Sequence, residues 1–62
     1  MEKQTEARKR FIDVAMKYSA HVTENFEVFI LLAKRIYEAE NVGFRLDPDS
    51  VETALKNVLG VN

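Results

Sequence analysis

The segment ENFEVFILLAKRIYEAE, residues 24–40, predicts the central element of the fold. Its apolar side chains recur with the period of an α-helix and show no sustained alternation of the kind that marks a strand. They cover about 200° of a helical wheel. A single neighbouring helix could not bury so wide an arc. The residues on this arc are Phe26, Val28, Phe29, Ile30, Leu32, Ala33, Ile36, Tyr37 and Ala39. We therefore predict a central helix over about residues 24–41, with Asn41 and Gly43 as its stop signals.

A second amphipathic segment precedes this one and predicts a helix over about residues 3–20. Its charged side carries Glu6 and Arg10, and Asp13 and Lys17, each pair at the favourable i, i+4 spacing with the acid first. Its apolar stripe consists of Ala7, Phe11, Val14, Ala15, Tyr18 and Val22. This stripe predicts that one side of the helix is buried.

The break between these two helices is predicted near residues 21–23. Thr23 is a suitable N-cap for the central helix, and Asn25 is the alternative. Neither glycine nor proline enforces the break, so the two helices could also run on as one long bent helix.

The clearest local signal is Asp47-Pro48-Asp49-Ser50. An aspartate N-cap followed by proline at the first helical position is typical of a helix start, and Gly60 is a typical end. The resulting helix, over 48–59, has an apolar face of Val51, Ala54, Leu55, Val58 and Leu59. The expected fold is thus all-α, a compact three-helix arrangement in a single domain over residues 1–62. We expect the deepest core at Phe29, Ala33 and Ile36, facing Phe11, Tyr18, Leu55 and Val58.

Composition limits what can stabilise such a fold. The chain has 62 residues, no cysteine and a formal net charge of −1. It can form no disulfide and no cysteine-containing zinc site. A domain of this size has a small core, so we expect either close helix packing or a partner chain, with a homo-oligomer favoured.

The sequence contains no recognisable catalytic, metal or cofactor motif. His21 is the only histidine, and its place near a predicted helix end favours interaction with the helix dipole over catalysis. The acidic run at residues 47–52 lacks the glycine and the distal glutamate of a calcium loop. Two glycines cannot form a phosphate-binding loop. We expect no enzyme activity, no cofactor and no metal.

No segment predicts a membrane span or a signal peptide. The longest apolar run, residues 28–33, is far below the roughly 20 residues that a membrane-spanning helix needs. The first six residues contain no apolar stretch. These features favour a cytoplasmic protein, and the small size suits a phage or an accessory bacterial gene.

Some apolar side chains remain after the core is assigned, and these indicate either a binding surface or a further part of the bundle core. Ile12 and Met16 lie one turn apart beside the core stripe, and Leu31 interrupts the polar side of the central helix. Phe44 lies in the short connector of residues 42–46, between the central helix and the last one. The candidate partner-binding residues are Arg8, Lys9, Ile12, Met16, Ser19, Leu31 and Arg35.

These residues predict a small protein-interaction module, a regulator, inhibitor or adaptor that binds a larger protein or acts as a homodimer. The alternative is a nucleic-acid-binding regulator that uses the basic side of the first helix, where Arg8, Lys9 and Arg10 are consecutive. We consider it the weaker hypothesis, because the three side chains splay in different directions and acids lie among them.

Overall fold

The computed structural model describes residues 5–61, and these form four α-helices. They are α1 (Glu6–Lys17), α2 (Ser19–Glu24), α3 (Phe26–Asn41) and α4 (Pro48–Leu59). No strand occurs within the described range. The all-α class is confirmed, but the prediction of three helices is wrong because a short helix separates the first from the central one. The predicted helix start at residue 3 lies outside the described residues.

The chain turns twice between α1 and α3, each time at a single residue. Tyr18 leaves helical geometry at φ −115°, ψ 43°, and Asn25 does so at φ −122°, ψ 36°. The predicted break at residues 21–23 is wrong, since those residues lie inside α2. Because neither turn contains glycine or proline, we attribute both to the packing of Tyr18, Val22 and Phe29 against the core.

The predicted cap of the central helix is also wrong. The Thr23 hydroxyl donates to the carbonyl of Ser19 (3.2 Å), one turn earlier in the chain. Asn25 precedes α3, but its side-chain amide donates back to the carbonyl of His21 (2.9 Å). Both side chains therefore stabilise the end of α2, and neither accepts from the first turn of α3.

Helix α4 begins and ends as its sequence predicts. The Asp47 carboxylate accepts from the backbone N–H of Ser50 (3.0 Å), and Pro48 is the first helical residue. Gly60 ends the helix at φ 74°. This left-handed conformation is accessible to glycine at little cost, whereas a Cβ would strain it.

The core lies mainly between α1 and α4. Its buried residues are Ala7, Phe11, Val14, Ile36, Val51, Leu55 and Leu59. Only Ile36 comes from α3, so the prediction that this helix is central is wrong. Its Phe29 and Ala33 are half-buried at the edge of the core, as is Tyr18, and Val58 is also half-buried. The narrow apolar stripes of α1 and α4 can close on each other, and α3 then covers one side of that pair with part of its wide arc.

No helix in the described range is long and apolar enough to cross a membrane.

Candidate functional site

Four of the predicted site residues lie along the outside of α1 and the start of α2. Lys9, Met16 and Ser19 are exposed, with Met16 72% exposed, and Ile12 is half-buried. On the helical wheel Met16 lies about 160° from the buried Val14, so it projects away from α4. We call these four residues the α1 face.

Leu31 and Arg35 lie on a different surface, the outer side of α3. Leu31 is 59% exposed and Arg35 is exposed. Leu31 lies about 140° around the wheel from the buried Ile36. The predicted site therefore divides between two surfaces and does not form one continuous patch.

Arg8, the remaining predicted site residue, has an intramolecular role. Its Nε lies 2.7 Å from Oε1 of Glu40, and its guanidinium lies 4.4 Å from the centroid of the Tyr37 ring. The Arg8 and Glu40 side chains are only 12% and 7% exposed. The Thr5 hydroxyl donates to the same carboxylate (2.9 Å), and Arg8 also donates to Asn41 (3.2 Å). This network joins the start of α1 to the end of α3.

Arg10 connects α1 to α4. It donates to Glu52 (2.7 Å) and to Asp49 (2.9 Å), and Lys56 also pairs with Glu52 (3.1 Å). The hydrogen bond from Arg10 is the main reason that the pKa of Glu52 is lowered, and the hydrogen bond to Glu52 is the main reason that the pKa of Arg10 is raised. Glu6 is not among the partners of Arg10.

The other predicted helical pair does not form either. Within residues 5–61 no ion pair joins Asp13 to Lys17, and the Lys17 ammonium instead lies 5.5 Å from the ring centroid of Tyr18. The i, i+4 spacing allows such pairs but does not enforce them in water.

Part of the exposed apolar surface could not be predicted from the sequence. Val28 is 45% exposed and belongs to the same side of α3 as Leu31, while Phe26 is exposed at the start of α3. The wide apolar arc predicts both to be buried. The width of the arc was itself the available signal, because a helix that packs on one side leaves the rest of so wide an arc in water. Val42 and Phe44, in the connector, are also exposed.

A cleft beside the start of α1 offers no evident chemistry. It has a volume of about 450 Å³ and lies between the start of α1 and the connector. Its lining includes Thr5, Glu40, Phe44, Arg45 and Leu46. The buried carboxylate in this lining, Glu40, is already engaged by Arg8 and Thr5.

The described residues also give no support for a metal site or a catalytic histidine. Among the residues that the structure describes, no group of histidine, cysteine, aspartate and glutamate side chains could hold a metal ion. His21 lies within α2, and its ring makes an edge contact with Tyr18, with centroids 6.0 Å apart.

Comparisons with protein families, curated proteins and solved structures found nothing that matches this chain.

Proposed function

We propose that this chain is a small non-enzymatic protein-interaction module whose α1 face binds another protein. The observation that carries the proposal is the exposure of Met16, a large apolar side chain that is 72% exposed one turn from the half-buried Ile12. Exposed apolar side chains are common singly. Here Ile12 extends the apolar surface of Met16 by one turn, and polar residues border it, as they would at a surface that a partner covers.

The composition of the α1 face suits this use. Binding free energy concentrates in a few apolar anchors that neighbouring residues shield from water. Ile12 and Met16 would be the anchors, and Lys9 and Ser19 the polar rim. A lysine at the rim favours an acidic partner surface and raises the association rate more than the affinity.

The nucleic-acid alternative has less support from the structure. Of the three consecutive cations, Arg8 pairs with Glu40, and Arg10 pairs with Asp49 and Glu52. Lys3, the other cation at the start of the first predicted helix, lies outside the described residues. A phosphate backbone would have to compete with carboxylates that already neutralise two of these charges.

The experiment is capture of binding proteins from the cells that produce this chain. The immobilised chain is compared with the double variant Ile12→Ser, Met16→Ser. The matched control is Val42→Ser, Phe44→Ser, which removes two exposed apolar side chains from the connector. We expect a partner to be retained by the wild type and by the control but lost from the α1-face variant. Equal retention by all three would contradict the proposal.

Two further measurements make the result interpretable. Circular dichroism checks that the variants stay helical, and the single variant Met16→Lys replaces the double one should Ile12 prove necessary for folding. Capture is repeated after nuclease treatment and at about 0.5 M salt, where binding through phosphate contacts falls steeply. Retention that disappears under these conditions would favour the nucleic-acid alternative.

A further inference from the structure

The outer side of α3 combines exposed apolar residues with unengaged charges. Val28 is 45% and Leu31 59% exposed, and Glu27 and Lys34 are exposed beside them. Glu27 and Lys34 are seven residues apart, so they lie within about 20° of each other along one edge of this surface. In the described part of the chain, no ion pair involves either residue. We call these four residues the α3 face.

We propose that the α3 face binds a second copy of this chain, with the two α3 helices antiparallel. Leu31 would pack against the partner's Val28, and the two-fold axis would pass between these positions. Glu27 and the partner's Lys34 would then lie on the same edge of the helix pair. Their positions along the helix axis would differ by only about 3 Å. Symmetry makes two such ion pairs, because each copy contributes one acid and one base.

The charges select this orientation over the parallel one. Glu27 and Lys34 are one heptad apart and occupy the same position at the edge of the helix contact. In an antiparallel pair, this position on one helix faces the same position on the other helix. In a parallel pair, by contrast, each Glu27 would lie level with the other Glu27. The side chain facing Glu27 across the interface would be the apolar Leu32 of the other helix. Only the antiparallel arrangement therefore brings Glu27 opposite a cation.

The size of the α3 face determines the affinity that we expect for the dimer. Helix α3 has 16 residues, which corresponds to a length of about 24 Å. One pair of such helices buries less than the roughly 800 Å² per partner of a standard stable interface. We expect a weak dimer, with ion pairs that determine orientation more than affinity. The inference rests on the proposed function, in which the chain acts through protein contacts, and it names the partner of a second face.

The experiment is sedimentation equilibrium of the intact 62-residue chain at low salt, up to about 1 mM. The variants Glu27→Lys and Lys34→Glu each turn both attractive pairs into repulsive ones. We expect each to weaken the dimer about tenfold or more, as reversal of two exposed pairs implies. An equimolar mixture of the two variants should recover wild-type association, because every pair across a mixed dimer is again attractive. Asp13→Lys, the same charge change on α1, is the control and should not weaken association.

Three results would overturn this inference. They are a wild type that stays monomeric at the highest concentration, association that both charge variants retain, and a mixture that associates no better than either variant alone. The Ile12→Ser, Met16→Ser variant separates the two proposals. It should sediment as the wild type does, whereas Glu27→Lys should still capture the protein that binds the α1 face.

Discussion

The rings of Phe11 and Phe29 stack with their centroids 5.2 Å apart and their planes inclined by 24°. Phe11, in α1, is only 3% exposed, whereas Phe29, in α3, is half-buried. One face of the Phe11 ring thus meets α3 at the edge of the core that α1 forms with α4. The contact shows how α3 is attached: it covers the α1–α4 pair and is itself covered only on one side.

Because of this asymmetry, we expect Phe11 and Phe29 to contribute unequally to the free energy of unfolding. We expect Phe11→Ala to cost about 3–5 kcal/mol, because it leaves a cavity in the core. A loss of that size would leave so small a domain largely unfolded. Phe29→Ala should cost less and leave a cooperative unfolding transition, since part of that ring is already in water. Urea denaturation followed by circular dichroism measures both, and an equal or larger loss for Phe29→Ala would show that α3 is more central than the structure places it.

The bridge between Arg10 and Glu52 should make stability depend on pH. Hydrogen bonding to Arg10 lowers the pKa of Glu52 in the folded state, below its ordinary value of about 4.3. The stabilisation is therefore fully present above that value and is lost as the pH falls through the lower, folded-state pKa.

Glu52→Gln keeps the shape of the side chain and removes its charge. Its free energy of unfolding should be below that of the wild type near neutral pH, and the two should converge below about pH 4. Thermal melts across this pH range measure the difference. Glu38→Gln, at an exposed position of α3, is the control and should not reproduce this convergence. A constant difference between Glu52→Gln and wild type at all pH values would contradict the prediction.

The network around Arg8 should require the planar guanidinium and not merely a positive charge. Arg8 pairs with Glu40 and lies over the ring of Tyr37, and lysine cannot reproduce both contacts. We expect Arg8→Lys to lower the free energy of unfolding by about 1 kcal/mol. Glu40→Gln should also be destabilising, because it leaves a nearly buried cation without its carboxylate. Lys9→Arg, at an exposed position, is the control, and a neutral effect of both network variants would contradict this role.

The N-cap of α4 provides a local test. Asp47→Ala removes the acceptor for the backbone N–H of Ser50, and we expect a loss of about 1 kcal/mol. Asp47→Asn retains an acceptor oxygen and should lose much less. Both are measured by thermal unfolding. If alanine were tolerated as well as asparagine, the hydrogen bond from Ser50 would contribute nothing to the start of this helix.

The features that depend on neighbouring residues along the chain could be predicted from the sequence. The helical class, the bounds of α4 and the buried stripe of α1 all follow from residues a few positions apart. Asp47, Pro48 and Gly60 act through their own backbone geometry, so their effect is readable without the fold. Met16 and Leu31 lie exposed, a point that their positions on the helical wheel left open because a bundle could also have buried them.

Tertiary structure alone decided which helices pair, where the chain bends, and which charges meet. The turns at Tyr18 and Asn25 carry no glycine or proline, and packing of distant residues overrides local preference there. Arg10 lies 39 and 42 residues from its acidic partners, so its sequence neighbours could not reveal them. The division of the candidate site between the α1 face and the outer side of α3 has the same origin. A helical wheel orders side chains around one axis, but only the packing of several helices determines which parts of each wheel remain in water.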